Sequence, residues 1–213
     1  MTMAQDFTAN AGDEVWIKTF FETHIVMVVY VQSENDTGVH NMGIVDGWTT
    51  SGMNLNYTGR TDTGGALPVV SITNEPGLAD TFQSYWCPYE GNTAKHAYLR
   101  RAAPYMFTAK MDGCTFGVGS ASSQGSVRVA HCNQGGQGQQ QQTILENFFS
   151  TRTRGLHATL GPASYRFRVG NFGSTMATTF GILVGNTWKF YSQVYMVDIL
   201  AKTLTFGGLL PVC

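Results

Sequence analysis

The sequence contains few charged residues. Its 13 Lys and Arg and 14 Asp and Glu residues make up 13% of 213 residues, about half of the usual share, and the formal net charge is −1. No cluster of Lys and Arg is present, so the positive patch that nucleic acids and anionic membranes require is missing. We therefore expect neither a nucleic acid nor a membrane among the partners.

Long apolar runs, a leader and cysteine motifs are lacking as well. The longest apolar run, residues 25–31, is far shorter than the ~20 residues that cross a bilayer. The first six residues have neither a basic nor an apolar region, so no signal peptide is readable and secretion would need another route. The four cysteines are irregularly spaced and form no C-x-x-C pair, which argues against a disulfide framework and a zinc site.

What is present predicts a β-rich fold. Glycine is abundant, at 25 residues, and many short apolar or alternating segments bounded by turn residues predict strands. These segments are 23–32, 41–45, 53–57, 67–72, 103–110, 114–118, 127–131, 164–169, 177–184, 188–196 and 203–206. Helices are predicted at 13–21, 93–102 and 143–155. We expect one α+β domain, residues 1–213, with a central β-sandwich of mixed and antiparallel strands and a few outer helices.

A segment rich in Gly and Gln, residues 133–142, precedes the third predicted helix. Such composition predicts a flexible loop. The helix itself is predicted to begin at a capping box formed by Thr143 and Glu146. Because the segment follows His131 directly, a mobile flap beside a functional site is the alternative interpretation.

The most informative pattern is a predicted hairpin whose two apolar strands flank small polar residues at 120–125. The apolar alternation pairs Val118 with Val127, since a one-residue slip would turn every side chain to the other face. The same register places Cys114 opposite His131. Directly opposed residues have Cβ atoms ~4.5–5.5 Å apart, so the pattern predicts a thiol and an imidazole at hydrogen-bond distance.

This pair has the chemistry of a nucleophile and a base. A free thiol with a pKa of ~8.5 is only a few per cent thiolate at neutral pH, and His131 as proton acceptor would create an ion pair with Cys114. Thr108, on the preceding strand, could orient the ring. Two alternatives remain open. Both residues could simply fill the core, whereas a metal site that includes Cys132 is disfavoured because neighbouring strand residues face opposite sides.

A short pattern around the hairpin has a counterpart in known proteins. It consists of Phe107, Thr108, Gly113, Cys114 and His131. In these residues the chain resembles the toxin glutamine deamidases, typified by the Burkholderia lethal factor and the catalytic domain of the cytotoxic necrotizing factors. The chain length is similar to that of the single-domain lethal factor. A fainter similarity covers residues 181–185 and 191–195, and none covers the first 90 residues.

The resemblance implies a site and a reaction. Cys114 would be the nucleophile, His131 the base and acid, and Thr108 the group that orients the imidazole. The reaction would be hydrolysis of a glutamine carboxamide through a thioester, with backbone N–H groups at Gly113 and Cys114 holding the oxyanion. No cofactor is implied.

The resemblance also implies a partner and a location. The family acts on host proteins, among them small GTPases and a translation-initiation helicase, so we expect a monomeric toxin that is secreted or delivered into the host-cell cytoplasm. Two features depart from the family. Asp112 stands where the family has Ser, and the hairpin loop is longer.

Two other functions compete with deamidation. A non-catalytic β-sandwich binding module would use Cys114 and His131 only as core residues. A transglutaminase would use the same pair, with an amine in place of water as the second reactant. Rapid alkylation of Cys114 near neutral pH distinguishes an enzyme from a binding module, and incorporation of a labelled amine distinguishes the two enzymes.

Overall fold

The computed structural model describes residues 1–29, 37–50, 53–135, 138–152, 155–166 and 173–213. Within these ranges the helices are α1 (Met3–Ala9), α2 (Glu14–Thr23), α3 (Gln139–Arg152) and α4 (Pro162–Tyr165). The strands of the first half are β1 (Ile25–Val29), β2 (Val39–Asp46), β3 (Thr49–Thr50), β4 (Met53–Asn54), β5 (Thr58–Arg60), β6 (Ala66–Leu67), β7 (Val69–Thr73) and β8 (Phe82–Cys87). Those of the second half are β9 (Ala94–Leu99), β10 (Tyr105–Thr108), β11 (Thr115–Gly119), β12 (Val127–Cys132), β13 (Leu156–Leu160), β14 (Gly173–Val184), β15 (Thr187–Asp198) and β16 (Thr203–Pro211).

Two sheets form the centre of the fold. The larger one is mixed and has the strand order β1-β7-β2-β8-β10-β14-β15-β16-β5-β6, and the smaller one is antiparallel with the order β13-β11-β12-β9. Apolar side chains of both sheets share one core cluster, to which Met106 and Phe190 contribute from the large sheet and Phe116 and Val129 from the small one. The predicted α+β class with a central β-sandwich is therefore confirmed.

Helices cover the outer faces of this sandwich. Phe7 of α1 and Phe21 of α2 pack with Phe107 and Phe180 on the far side of the large sheet. Helix α3 packs its Phe149 against the far side of the small sheet. The helices thus lie outside the two sheets, as the sequence predicts.

Glycines in β11 allow α3 to approach the small sheet closely. A Cβ atom at Gly119 would lie 2.8 Å from a ring carbon of Phe149, which is too close for van der Waals contact. The absence of a side chain at this position therefore fixes how near the helix lies to the sheet.

The predicted helix at 13–21 is confirmed as α2, and the side chain of Asp13 caps it by accepting a hydrogen bond from the backbone N–H of Trp16 (3.0 Å). The predicted helix at 93–102 is wrong, because β9 occupies its centre. There Ala97 and Leu99 are buried while Tyr98 between them is exposed. This alternation, together with antiparallel pairing to β12, outweighs the helical spacing of the segment.

The third predicted helix exists but begins earlier than expected. Helix α3 begins at Gln139, and Thr143 lies inside it, where its hydroxyl donates to the carbonyl of Gln139 (3.1 Å). The loop prediction is thus wrong for residues 139–142, while 136–137 lie outside the described residues. The predicted strand at 164–169 is wrong at its start, which belongs to α4, and 167–169 are also outside the described residues.

None of the helices in the described ranges is long and apolar enough to cross a bilayer.

Candidate functional site

The candidate site lies where the two sheets meet. Thr108 is the last residue of β10, and its register partner is Cys87, the last residue of β8. His131 lies in β12, and Cys114 directly precedes β11. A hydrogen bond of 2.7 Å between Thr108 Oγ1 and His131 Nδ1 joins the large sheet to the small one.

The predicted pairing of Cys114 opposite His131 is wrong, because the observed strand register differs from the predicted one by two residues. In the structure His131 is opposite Phe116, and Val118 pairs with Val129. The reason lies in the connecting loop, which folds on itself through a hydrogen bond from the N–H of Ser122 to the carbonyl of Ser126 (2.8 Å) and so takes up more residues than a tight hairpin.

A shift by two residues keeps every side chain on its face. Cys114 and His131 therefore remain on the same side of the small sheet, as diagonal rather than direct neighbours. Diagonal neighbours have Cα atoms roughly 7–8 Å apart. Consistent with this greater separation, His131 Nε2 has no hydrogen-bond partner among the described residues.

The hydrogen bonds of Thr108 define the tautomer of His131. The Thr108 hydroxyl lies 2.8 Å from the carbonyl oxygen of Cys87, which can only accept, so the single hydroxyl proton is donated there. The hydroxyl oxygen must then accept a hydrogen bond from His131 Nδ1–H. The proton of the neutral imidazole is thus on Nδ1, and Nε2 carries a free lone pair, as a general base requires.

Cys114 borders a cavity of about 320 Å³, at the lower end of the roughly 300–1,000 Å³ of ligand sites. The residues that line it are Val28, Val29, Trp48, Tyr89, Ala109, Lys110, Asp112 and Cys114. The ring of Tyr89 also packs on that of His131, with 5.0 Å between the ring centroids. Tyr89 therefore contacts both the cavity and the histidine.

Two buried polar side chains hold the backbone around Cys114. The hydroxyl of Tyr165 donates to the carbonyl of Cys114 (2.7 Å) and accepts from the N–H of Gly113 (3.0 Å). Gln141 of α3 donates to the carbonyl of Gly113 (3.2 Å) and accepts from the hydroxyl of Thr115 (2.7 Å). Gly113 has a φ of 91°, which favours glycine at this turn.

These contacts correct one prediction. The N–H of Gly113 was expected to stabilise an oxyanion, but Tyr165 already occupies it. The N–H of Cys114 stays a prediction for that role. Neither Tyr165 nor Gln141 was foreseen. A signal existed for Gln141, because Gln141, Leu145 and Phe149 recur every four residues and are all buried on one helix face.

Burial sets the charge states of Cys114 and His131. Burial lowers the pKa of His131 to about 3. Burial likewise raises the pKa of Cys114 to about 11, although a hydrogen bond from the Asp112 backbone partly opposes this rise. The resting site therefore holds a neutral thiol and a neutral imidazole. The ion pair expected from the sequence is disfavoured in this state.

Charged side chains line and flank the cavity. Asp112, which lines the cavity, forms an ion pair of 3.0 Å with Arg166. Lys110 places its Nζ 4.8 Å from the ring centroid of Trp48. Cys114 thus lies in a mainly apolar cavity that has charges of both signs.

A larger cavity, about 760 Å³, lies by the hairpin loop and contains Cys213 and His157 in its lining. Among the described residues no hydrogen bond of the His157 side chain fixes its tautomer. His131, in contrast, is oriented by Thr108. We therefore assign the candidate chemistry to the smaller cavity.

The alternative metal site has no counterpart in the described ranges, where no group of three or more His, Cys, Asp or Glu side chains is close enough to hold an ion. Cys132 faces α3 and packs with Ala130, Leu145 and Phe149, away from His131.

No protein-family model matches the chain, and no curated protein is significantly similar to it.

Proposed function

We propose that this protein is a cysteine-dependent deamidase that converts a glutamine side chain of a host protein into glutamate. The observation that carries the proposal is the state of His131. Its Nδ1–H is held by Thr108, and its unprotonated Nε2 has no hydrogen-bond partner within the described part of the chain. His131 lies on the same side of the sheet as Cys114, which borders a cavity.

The first half of the reaction forms a thioester. The Cys114 thiol transfers its proton to His131 Nε2, directly or through one water, as sulfur attacks the carboxamide carbon. The C–N bond then breaks, His131 returns the proton to the leaving nitrogen, and ammonia departs. Because the resting pair is neutral, proton transfer accompanies attack and no preformed thiolate is needed.

The second half hydrolyses the thioester. His131 takes a proton from water, the hydroxide attacks the thioester carbon, and the Cys114 sulfur leaves and is reprotonated. The products are a glutamate side chain and the free thiol. An amine in place of water would give transglutamination at the same site, so the two activities differ only in the second reactant.

The resemblance to the toxin deamidases supports a protein substrate in the host cytoplasm, with small GTPases and a translation-initiation helicase as the first candidates. The cavity supports a side-chain substrate, because apolar walls formed by Val28, Val29 and Ala109 suit the methylene groups of glutamine.

Mass spectrometry of treated host-cell protein tests the proposal. The wild-type protein should produce glutamines that gain about one dalton through exchange of NH2 for OH, and Cys114→Ala should produce none. Cys132→Ala, which removes a thiol from the opposite face of the sheet, is the matched control and should retain the activity. Equal mass changes with wild type and Cys114→Ala would contradict the proposal and favour the binding module.

A further inference from the structure

The charges that line the cavity beside Cys114 are not equivalent. The carboxylate of Asp112 forms an ion pair with Arg166 at 3.0 Å. Lys110 forms no ion pair with any carboxylate in the described ranges, and its contact is with the face of Trp48. Among the described residues that line the cavity, Lys110 is therefore the charged side chain without an ion-pair partner, although the charge of Asp112 also acts on it.

The position of Lys110 relative to Cys114 gives this charge a role in recognition. Lys110 is exposed, whereas Cys114 is only 3% exposed. A glutamine side chain that reaches the sulfur must pass along the cavity, so the residues that flank it in the substrate stay near the opening. Lys110 is therefore within reach of the flanking residues.

The surroundings of Lys110 favour an anionic neighbour. The Trp48 ring restrains the ammonium group by a cation–π contact, which lowers the entropy lost when the group binds a partner. Neighbouring atoms partly desolvate the ammonium group of Lys110 and lower its pKa, and the charge of Asp112 opposes this effect only in part. A carboxylate from the substrate would stabilise this charge, whereas a cation would be repelled.

We propose that Lys110 is a specificity-determining residue that selects glutamines with an acidic residue close by in the substrate. This inference rests on the proposed deamidase function and adds the chemistry of the sequence around the target glutamine. It also assigns Trp48 a role, which is to hold Lys110 in its position at the cavity.

The test maps deamidated glutamines in host-cell lysate treated with wild type, Cys114→Ala, Lys110→Glu and Lys202→Glu. Lys202 lies in the turn between β15 and β16, where its side chain is exposed, so it is the matched charge-reversal control. We expect sites that depend on Cys114 to carry Asp or Glu nearby. Lys110→Glu should lower their turnover about tenfold, and Lys202→Glu should leave it unchanged.

A charge swap makes the test independent of the number of targets. For the most strongly modified protein, the acidic residue nearest the glutamine is replaced by Lys, which should lower kcat/KM with wild type and restore it with Lys110→Glu. A merely structural role of Lys110 would give no such rescue.

The outcomes separate the inference from the proposed function. Deamidation that depends on Cys114 but shows no acidic preference, or no response to Lys110→Glu, would overturn the role of Lys110 and leave the deamidase intact. Absence of any deamidation that depends on Cys114 would contradict the deamidase, and the specificity role would fall with it.

Discussion

Cys114 and Cys132 lie near each other on opposite faces of one small sheet. Cys132 faces the layer under α3 and packs among apolar side chains, while Cys114 borders a cavity. Burial raises the pKa of both thiols, so acidity alone does not distinguish them. Two features distinguish them: Cys114 borders the cavity, and of the two thiols only Cys114 lies on the same face of the sheet as the base His131.

The largest effect should come from removal of one thiol or the other. Cys114→Ala should lower deamidation by at least about 10³-fold, because the covalent intermediate is lost. Cys132→Ala should keep the turnover within about twofold and lower the free energy of unfolding by about 1 kcal/mol, because it leaves a small void under α3. Ammonia release and chemical denaturation measure the two effects. Equal losses of turnover would remove the distinction between the two faces.

A second effect concerns the base rather than the nucleophile. Thr108→Val keeps the shape of the side chain but removes the acceptor of His131 Nδ1–H, so the productive tautomer is no longer enforced. We expect kcat to fall about 10²-fold while KM changes little. Thr108→Ser retains the hydroxyl and should restore most of kcat. A Thr108→Val variant with wild-type kcat would show that the hydrogen bond to His131 is not part of the mechanism.

A smaller effect should follow from loss of the backbone clamp. Gln141→Leu leaves the Gly113 carbonyl and the Thr115 hydroxyl without their partner, which costs about 1–3 kcal/mol of stability. We expect kcat to fall about tenfold, since the Cys114 turn is less well fixed. The exposed Gln139→Leu is the matched control in the same run of glutamines. Equal kcat values for the two variants would restrict Gln141 to a structural role.

The effect with the smallest consequence for turnover near neutral pH is a dependence of stability on pH. His131 has a pKa of about 3 in the folded protein against 6.5 in the unfolded chain, so protonation favours unfolding. Its contribution to stability is complete above about pH 6.5 and is lost as the pH falls towards 3, by roughly 1 kcal/mol per pH unit. Urea denaturation of wild type and His131→Gln measures the difference. Parallel pH profiles would contradict the burial of a neutral imidazole.

The sequence predicts correctly that Cys114 and His131 lie on the same face of the small sheet, but it does not predict how far apart they are. Alternation with period two placed Cys114 and His131 on one side of the hairpin, and the structure keeps them there. The register was wrong because the loop at 120–125 forms its own hydrogen bonds, which apolar alternation does not encode.

Long-range contacts explain the other errors. The segment at 93–102 has helical spacing, yet pairing with β12 makes it a strand. The contact of Tyr165 with Gly113 and Cys114 joins residues about 50 positions apart, and no local pattern announces it. The composition of residues 133–142 predicts a loop, whereas the burial of Gln141 together with Leu145 and Phe149 on one helix face makes residues 139–142 part of α3.

The alkylation rate of Cys114 near neutral pH tests most directly whether thiol and imidazole act together. Iodoacetamide labelling followed by peptide mapping compares Cys114 with Cys132 in wild type and in His131→Gln. We predict that Cys114 reacts faster than Cys132 in wild type, because Cys114 borders the cavity and His131 can take the thiol proton as sulfur attacks the reagent, and that it slows in His131→Gln. Equal labelling of the two cysteines, unchanged by His131→Gln, would contradict the account and leave a binding module in its place.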